Sequence, residues 1–270
     1  MNRFIVFALL AVASTGSMAQ ASDNSSIEHG PTEDGPPRRW GLGVGAIAKN
    51  SPYAGEGARF QPIPLISYEG EHFFLRGITA GWQFVGNETF ELAAIIQARF
   101  DGFDIKDLSR SKLAANGLDS RLLDDRDDSL DAGISGKWSG SAGELELDLL
   151  SDVSGKSKGQ EFSLQYGYPL NLGATQITPN IGATYFSKKM ANYYYGTLDS
   201  EVARGVINYR PDAVTVPHVG VDVMRSFAEN WTFLALLQYS ALPNKITDSP
   251  LLERNTNGKA EIVIGVQRAF

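Results

Sequence analysis

Between positions 143 and 153 the side chains alternate with period two. Leu145, Leu147, Leu149 and Val153 stand on one side, and Glu144, Glu146, Asp148 and Asp152 on the other. A strand of this kind needs an apolar medium against one face and a polar one against the other. The pattern recurs. Leu130, Ala132, Ile134 and Trp138 alternate with Asp131, Gly133, Ser135 and Lys137. Phe162, Leu164, Tyr166 and Tyr168 alternate with Glu161, Ser163, Gln165 and Gly167. At the end of the chain Ala260, Ile262, Ile264, Val266 and Phe270 share one face, interrupted by Arg268.

A water-soluble barrel would show the same alternation with its apolar face inward. Two features favour the membrane version. The alternating stretches run about 9–14 residues, beyond the common strand length and long enough to cross a bilayer at a tilt. Aromatic residues recur near their ends, at Trp40, Phe60, Tyr68, Phe100, Trp138, Tyr168, Tyr185, Trp231, Tyr239 and Phe270, where rings sit at headgroup level. A terminal Phe270 closing an alternating strand fits the same reading. The fold class expected is all-β, an antiparallel transmembrane barrel in a Gram-negative outer membrane.

Eleven strands are expected: 40–48, 58–68, 72–85, 88–100, 129–139, 143–153, 159–168, 175–187, 214–226, 230–240 and 259–270. Bacterial single-chain barrels have even strand numbers, so the expectation is twelve, with ten as the alternative. The missing strand is placed within 190–212, where Tyr193, Tyr194 and Tyr195 and the stretch 206–209 favour β structure. Loops 101–128, 188–213 and 241–258 are long and fall on one side. The turns at 86–87, 139–142 and 228–229 are tight and fall on the other. The first strands do not obey this parity.

The start of the chain has the layout of a secretory signal: Arg3, an apolar run over 4–13, then small and polar residues. Cleavage after Ala19 or Ala21 fits, so 1–21 is expected to be a signal peptide. The segment 22–39 is rich in Pro, Gly and charge and is expected to be a flexible periplasmic stretch, with 40–270 as the barrel. The net charge of −7 argues against nucleic acid as a partner.

No residue earns a catalytic, cofactor-binding or metal-binding assignment. His29 falls in the flexible segment, His72 in a turn and His218 on a strand. None has a nucleophile motif beside it. The run Asp124-Asp125-Arg126-Asp127-Asp128 lacks the spacing of a calcium loop and is expected to be a solvated loop with internal Arg pairing. Tyr193, Tyr194 and Tyr195 are expected in an interfacial girdle or packed loop, with an aromatic ligand surface as the alternative.

Several segments, taken in order, resemble the MltA-interacting protein/OmpV family of outer-membrane proteins. They are Gly41-Leu42-Gly43-Val44-Gly45, Ser51-Pro52-Tyr53-Ala54-Gly55, Pro62-Ile63-Pro64 with Tyr68, and Phe73-Phe74 with Gly77. Then come Asp124-Asp125-Arg126-Asp127, Tyr194-Tyr195-Gly196, Glu201-Val202-Ala203 and Asp248-Ser249-Pro250-Leu251. The resemblance spans about Trp40 to Phe270. It implies a barrel embedded in outer-membrane lipid. For one branch it implies a non-catalytic scaffold joining a lytic murein transglycosylase to a bifunctional penicillin-binding protein. It carries over no catalytic residues and no cofactor. A porin-like small-solute channel, lined by Glu144, Glu146, Asp148, Asp131 and Lys137, and an adhesin acting through the long loops remain alternatives.

Overall fold

The computed structural model describes residues 39–270. The expected signal peptide, the segment 22–38 and His29 lie outside the described residues. The strands are β1 (Trp40–Asn50), β2 (Ala58–Glu69), β3 (Phe73–Arg76), β4 (Thr79–Gly86), β5 (Phe90–Arg99), β6 (Ser129–Gly140) and β7 (Gly143–Asp152). They continue as β8 (Gln160–Gly167), β9 (Leu170–Leu172), β10 (Thr175–Phe186), β11 (Val214–Ala228), β12 (Trp231–Ala241) and β13 (Gly258–Ala269). Neighbours pair antiparallel around the whole ring. The ring closes where β13 meets β1, with Gly41 opposite Ala269 and Lys49 opposite Glu261.

The thirteen pieces make twelve wall strands. β8 and β9 both pair with β10 in one unbroken register, Gly167 opposite Asn180 and Leu170 opposite Ile177. Pro169, which has no N–H to give to a ladder, separates them.

The count of twelve holds, but the extra strand is not within 190–212. That segment forms the helices α1 (Lys188–Tyr195) and α2 (Asp199–Ala203). Met190 and Ala191 recur as Tyr194 and Tyr195 four positions on. This helical spacing buries one face and overrides the β preference of tyrosine.

The extra strand comes from 72–85, which is a hairpin rather than one strand. Arg76 pairs with Thr79 across the two-residue connection Gly77-Ile78. Gly77 has φ 60°, the left-handed conformation that such tight hairpins demand at their first central position. This hairpin also explains the parity of the first strands. With it in place, connections 70–72, 87–89, 141–142, 173–174 and 229–230 lie at one end. Loops 51–57, 100–128, 153–159, 187–213 and 242–257 lie at the other.

Side chains alternate between lumen and exterior as the sequence pattern requires. Leu42, Val44, Ile134, Leu149, Val219 and Ile264 face outward and are exposed, forming the apolar band that lipid covers. At the turn end Trp40, Trp82, Phe90 and Phe270 project from the rim. Arg268, the interruption in the last strand, lies over Phe270 (5.0 Å) and Trp231 (6.0 Å). Its stem can cover apolar surface while the cation stays at the interface. Among the described residues no helix is long and apolar enough to cross a membrane.

Candidate functional site

The lumen is chemically divided. On β6 and β7 it is charged: Lys137 pairs with Glu144 at 3.0 Å, and Glu146 and Asp148 follow on the same face. On β1, β2, β12 and β13 it holds an apolar patch. Ile47, Ile63, Leu65 and Val263 pack together there, with Leu234 and Leu236 against them. The polar inner face expected from the sequence is therefore interrupted by this patch. Ile63 and Leu65 point inward between outward-facing Pro62, Pro64 and Ile66, so both faces of β2 are apolar and periodicity could not assign them.

At the loop end the lumen is roofed. Loops rising from around the ring share one apolar core, which includes Tyr53, Ala54, Phe103, Leu113, Met190, Tyr194, Ile246 and Leu251. Backbone bonds stitch the loops together. Ala54 N–H donates to Leu251 O (2.9 Å), Ser109 N–H to Ala54 O (2.9 Å) and Glu253 N–H to Pro52 O (2.8 Å). Asn116 donates to Pro250 O and Leu252 O at 3.0 and 2.8 Å. Gly55, at φ 79°, runs against Ser109 so closely that a Cβ there would collide with it.

The clasp of this cap is Arg126. Its guanidinium meets Glu201 through two bonds of 2.8 and 2.9 Å, and neither side chain reaches solvent. The remaining donors go to Tyr193 O (2.7 Å), Asp124 O (2.6 Å) and Gly196 O (3.1 Å). Glu201 also accepts from the backbone N–H groups of Asp124 and Leu198. A buried ion pair holds only when its other hydrogen-bonding groups are also met, as they are here.

The expectation of internal pairing within the acidic run is thus corrected. Arg126 leaves the run for Glu201, while Asp124 pairs with Arg204 and Asp127 with Lys156. Asp125 accepts from the Ile105 N–H. The carboxylates point to separate partners, and among the described residues no group of three or more His, Asp or Glu could hold a metal ion. Tyr194 and Tyr195 are buried in the cap, which is the packed-loop alternative, and the Tyr53 hydroxyl donates to Tyr194 O at 3.1 Å.

Beneath the cap a charged layer crosses the lumen. Arg99 on β5 donates to Asp131 on β6 (2.7 Å), to Asp101 (2.9 Å) and to Glu161 on β8. Lys259 on β13 approaches Asp101 from the opposite wall at 3.9 Å. Burial pushes the Asp101 carboxyl up. Lys259, Arg99 and Lys49 outweigh this and hold it well below the usual carboxylate range. A cavity of about 60 Å³ lies beside this layer, lined in part by Lys49, Glu56, Arg59, Phe100 and Asp101.

The histidines are scattered. His72 sits in a turn at the other end of the barrel, stacked on Trp82 with centroids 5.5 Å apart. His218 is buried in the lumen, its Nε2 3.2 Å from the Gln165 amide oxygen. An amide cannot take a proton from imidazole as a relay would require. The residues that sequence reasoning missed are Arg99, Asp101 and Lys259. Each stands singly in its own strand or loop, and only ring closure brings them together.

A family model described as MltA-interacting protein MipA matches residues 42–270. The putative outer membrane protein YiaT of Escherichia coli (strain K12) is 32% identical over 218 residues, covering 79% of this chain and 85% of that one. The MltA-interacting protein of Escherichia coli (strain K12) is 28% identical over 221 residues, covering 82% and 86%. The outer membrane protein OmpV of Vibrio cholerae is 20% identical over 217 residues, covering 80% and 81%.

Proposed function

This chain belongs to the MltA-interacting protein MipA family of outer-membrane barrels, and on that footing we propose that it is a non-catalytic scaffold rather than a standing pore. The observation that carries this reading is the cap. Loops from around the ring share one core, locked by the buried Arg126–Glu201 pair, over a lumen already crossed by the Arg99–Asp101–Lys259 layer. A barrel shut in this way offers its rim, its turns and its lipid-facing wall to partners. The partners proposed are a lytic murein transglycosylase and a bifunctional penicillin-binding protein. The name of the 28% identical relative supports the first of these.

The periplasmic turns are short, so the segment 22–39 is the proposed tether. In this reading the signal peptide is removed on export by cleavage after Ala19 or Ala21, leaving a mature chain that starts at Gln20 or Ser22. Affinity capture with the full chain from cross-linked cells should enrich a lytic murein transglycosylase. Capture that yields neither murein enzyme would end the scaffold reading.

One observation favours a second reading, a gated solute channel. The charged wall of Lys137, Glu144, Glu146 and Asp148 suits hydrated solutes once the cap moves. Conductance of the purified protein separates the two.

A further inference from the structure

The β3–β4 hairpin is too short to fill its place in the wall. β2 runs twelve residues from the loop end down to the turn end, but β3 meets only the last three, Ser67, Tyr68 and Glu69. The hairpin tip is tied down at the level of Ile66, whose carbonyl accepts from the Gly77 N–H. On the far side Ala98 N–H donates to Ile78 O, and β5 continues above that point to Arg99. A notch about two strands wide, roughly 10 Å at ordinary strand spacing, is left between β2 and β5 in the loop-end half of the wall.

The edge of β2 is adapted to that notch. Successive residues of a strand turn their backbone groups to opposite sides. Glu69 N–H donates toward β1, to Arg39 O, and Ile66 O faces the hairpin, so even-numbered residues of β2 face the notch. On that side Ala58, Phe60, Pro62 and Pro64 have no strand neighbour among the described residues, since β3 pairs only with Ser67, Tyr68 and Glu69; their register partners all lie on β1. Two of these four are prolines, which have no N–H to leave unmatched. Unpaired N–H groups are costly against hydrocarbon, and proline on an edge also blocks the addition of another strand. The sequence thus equips this edge to stay open rather than to be continued by a second sheet.

The lips are apolar. Phe60, the most exposed of the large outward-facing hydrophobics, and Ile66 line the β2 side; on the β5 side outward-facing Ile96, paired with Ala80, lies just below the hairpin tip. Behind them lies the cavity that spans both lips, from Arg59 to Phe100 and Asp101. Four of the six charged residues lining the cavity pair with one another, Arg59 with Glu56 and Lys259 with Asp101, beside Lys49 and Glu261. Nothing in that arrangement calls for a charged ligand. We propose that the notch is a lateral binding site, open to the outer leaflet, for an uncharged hydrocarbon chain. This function is independent of any periplasmic partner.

The chain contains no cysteine, which makes site-directed labelling direct. Gln61→Cys places a thiol on the inward face of β2 at notch height. Ser163→Cys places one on the inward face of β8, where β7 and β10 close the wall on both sides. In vesicles, with folding checked by heat-modified gel mobility, a lipid-soluble alkyl maleimide should label the Gln61→Cys protein several-fold faster than the Ser163→Cys protein. Dodecane should slow the faster reaction more than dodecanoate or dodecylammonium does. Equal rates for the two variants would overturn the opening, and stronger protection by either charged analogue would overturn the ligand class. As a further variant, Pro62→Val with Pro64→Val restores two N–H groups to the edge. It should lower the assembled fraction, whereas better assembly or a new dimer would show that a strand covers the edge.

Discussion

Arg126 and Glu201 lie 75 positions apart in the chain and meet in a two-bond ion pair with no solvent contact, so that one loop over the barrel mouth is fastened to another. Removing one partner strands the other as a buried charge. Glu201→Ala is expected to destabilise the cap by about 3–5 kcal/mol, whereas Arg126→Met combined with Glu201→Leu should cost less than either single change. Limited proteolysis within 100–128 and 187–213, read beside heat-modified gel mobility, checks this. Cleavage should rise in Glu201→Ala while the barrel persists.

The cap should also tolerate moderate acid. Asp124 is held low by its bond from Arg204, and Glu253 by its bond from Lys112. Asp101 is lowered by Lys259 and Arg99 against the effect of its burial. A carboxyl whose folded pKa is depressed contributes stability that is fully present above its unfolded value. That stability is lost as pH falls through the folded pKa. Asp128, raised by burial, acts in the opposite sense. The three lowered groups prevail, so protease resistance of the loops should hold at pH 5 and fail only below about pH 4, the ordinary carboxylate range. Opening between pH 5 and 6 would contradict these assignments.

Leu147 faces outward at mid-strand, between Gly136 and Leu164, while Glu146 faces the lumen between Lys137 and Gln165. Leu147→Arg should cost about 2–4 kcal/mol, the range for a cation near the bilayer midplane, and Glu146→Gln far less. Thiol labelling separates the faces. Leu147→Cys should react with a lipid-soluble reagent and Glu146→Cys with a small water-soluble one. Aqueous labelling of the Leu147→Cys protein alone would reverse the two faces.

Much of this barrel is legible in the sequence because lipid on one side and polar groups on the other impose period two. β7 shows this most clearly, with Glu144, Glu146 and Asp148 inward and Leu145, Leu147 and Leu149 outward. The hairpin at Gly77-Ile78 escaped because Phe73, Phe74 and Leu75 run on toward Trp82 as though in one strand. A Gly-Ile pair is a weaker turn signal than Asn-Gly. The helix of Met190, Tyr194 and Tyr195 escaped because three adjacent tyrosines favour strands until tertiary packing decides. The cap was legible only in pieces. The Ser51-Pro52-Tyr53, Asp124-Asp125-Arg126, Glu201 and Ser249-Pro250-Leu251 segments were each visible, but their convergence depends on ring closure.

The central claim is that the cap and the charged layer shut this barrel, and conductance across a planar bilayer tests it most directly. The purified, folded protein should give no stable conductance steps at neutral pH, while Glu201→Ala should give intermittent ones as the cap loosens. Long-lived, uniform steps from the unaltered protein would contradict the account and place it among standing channels.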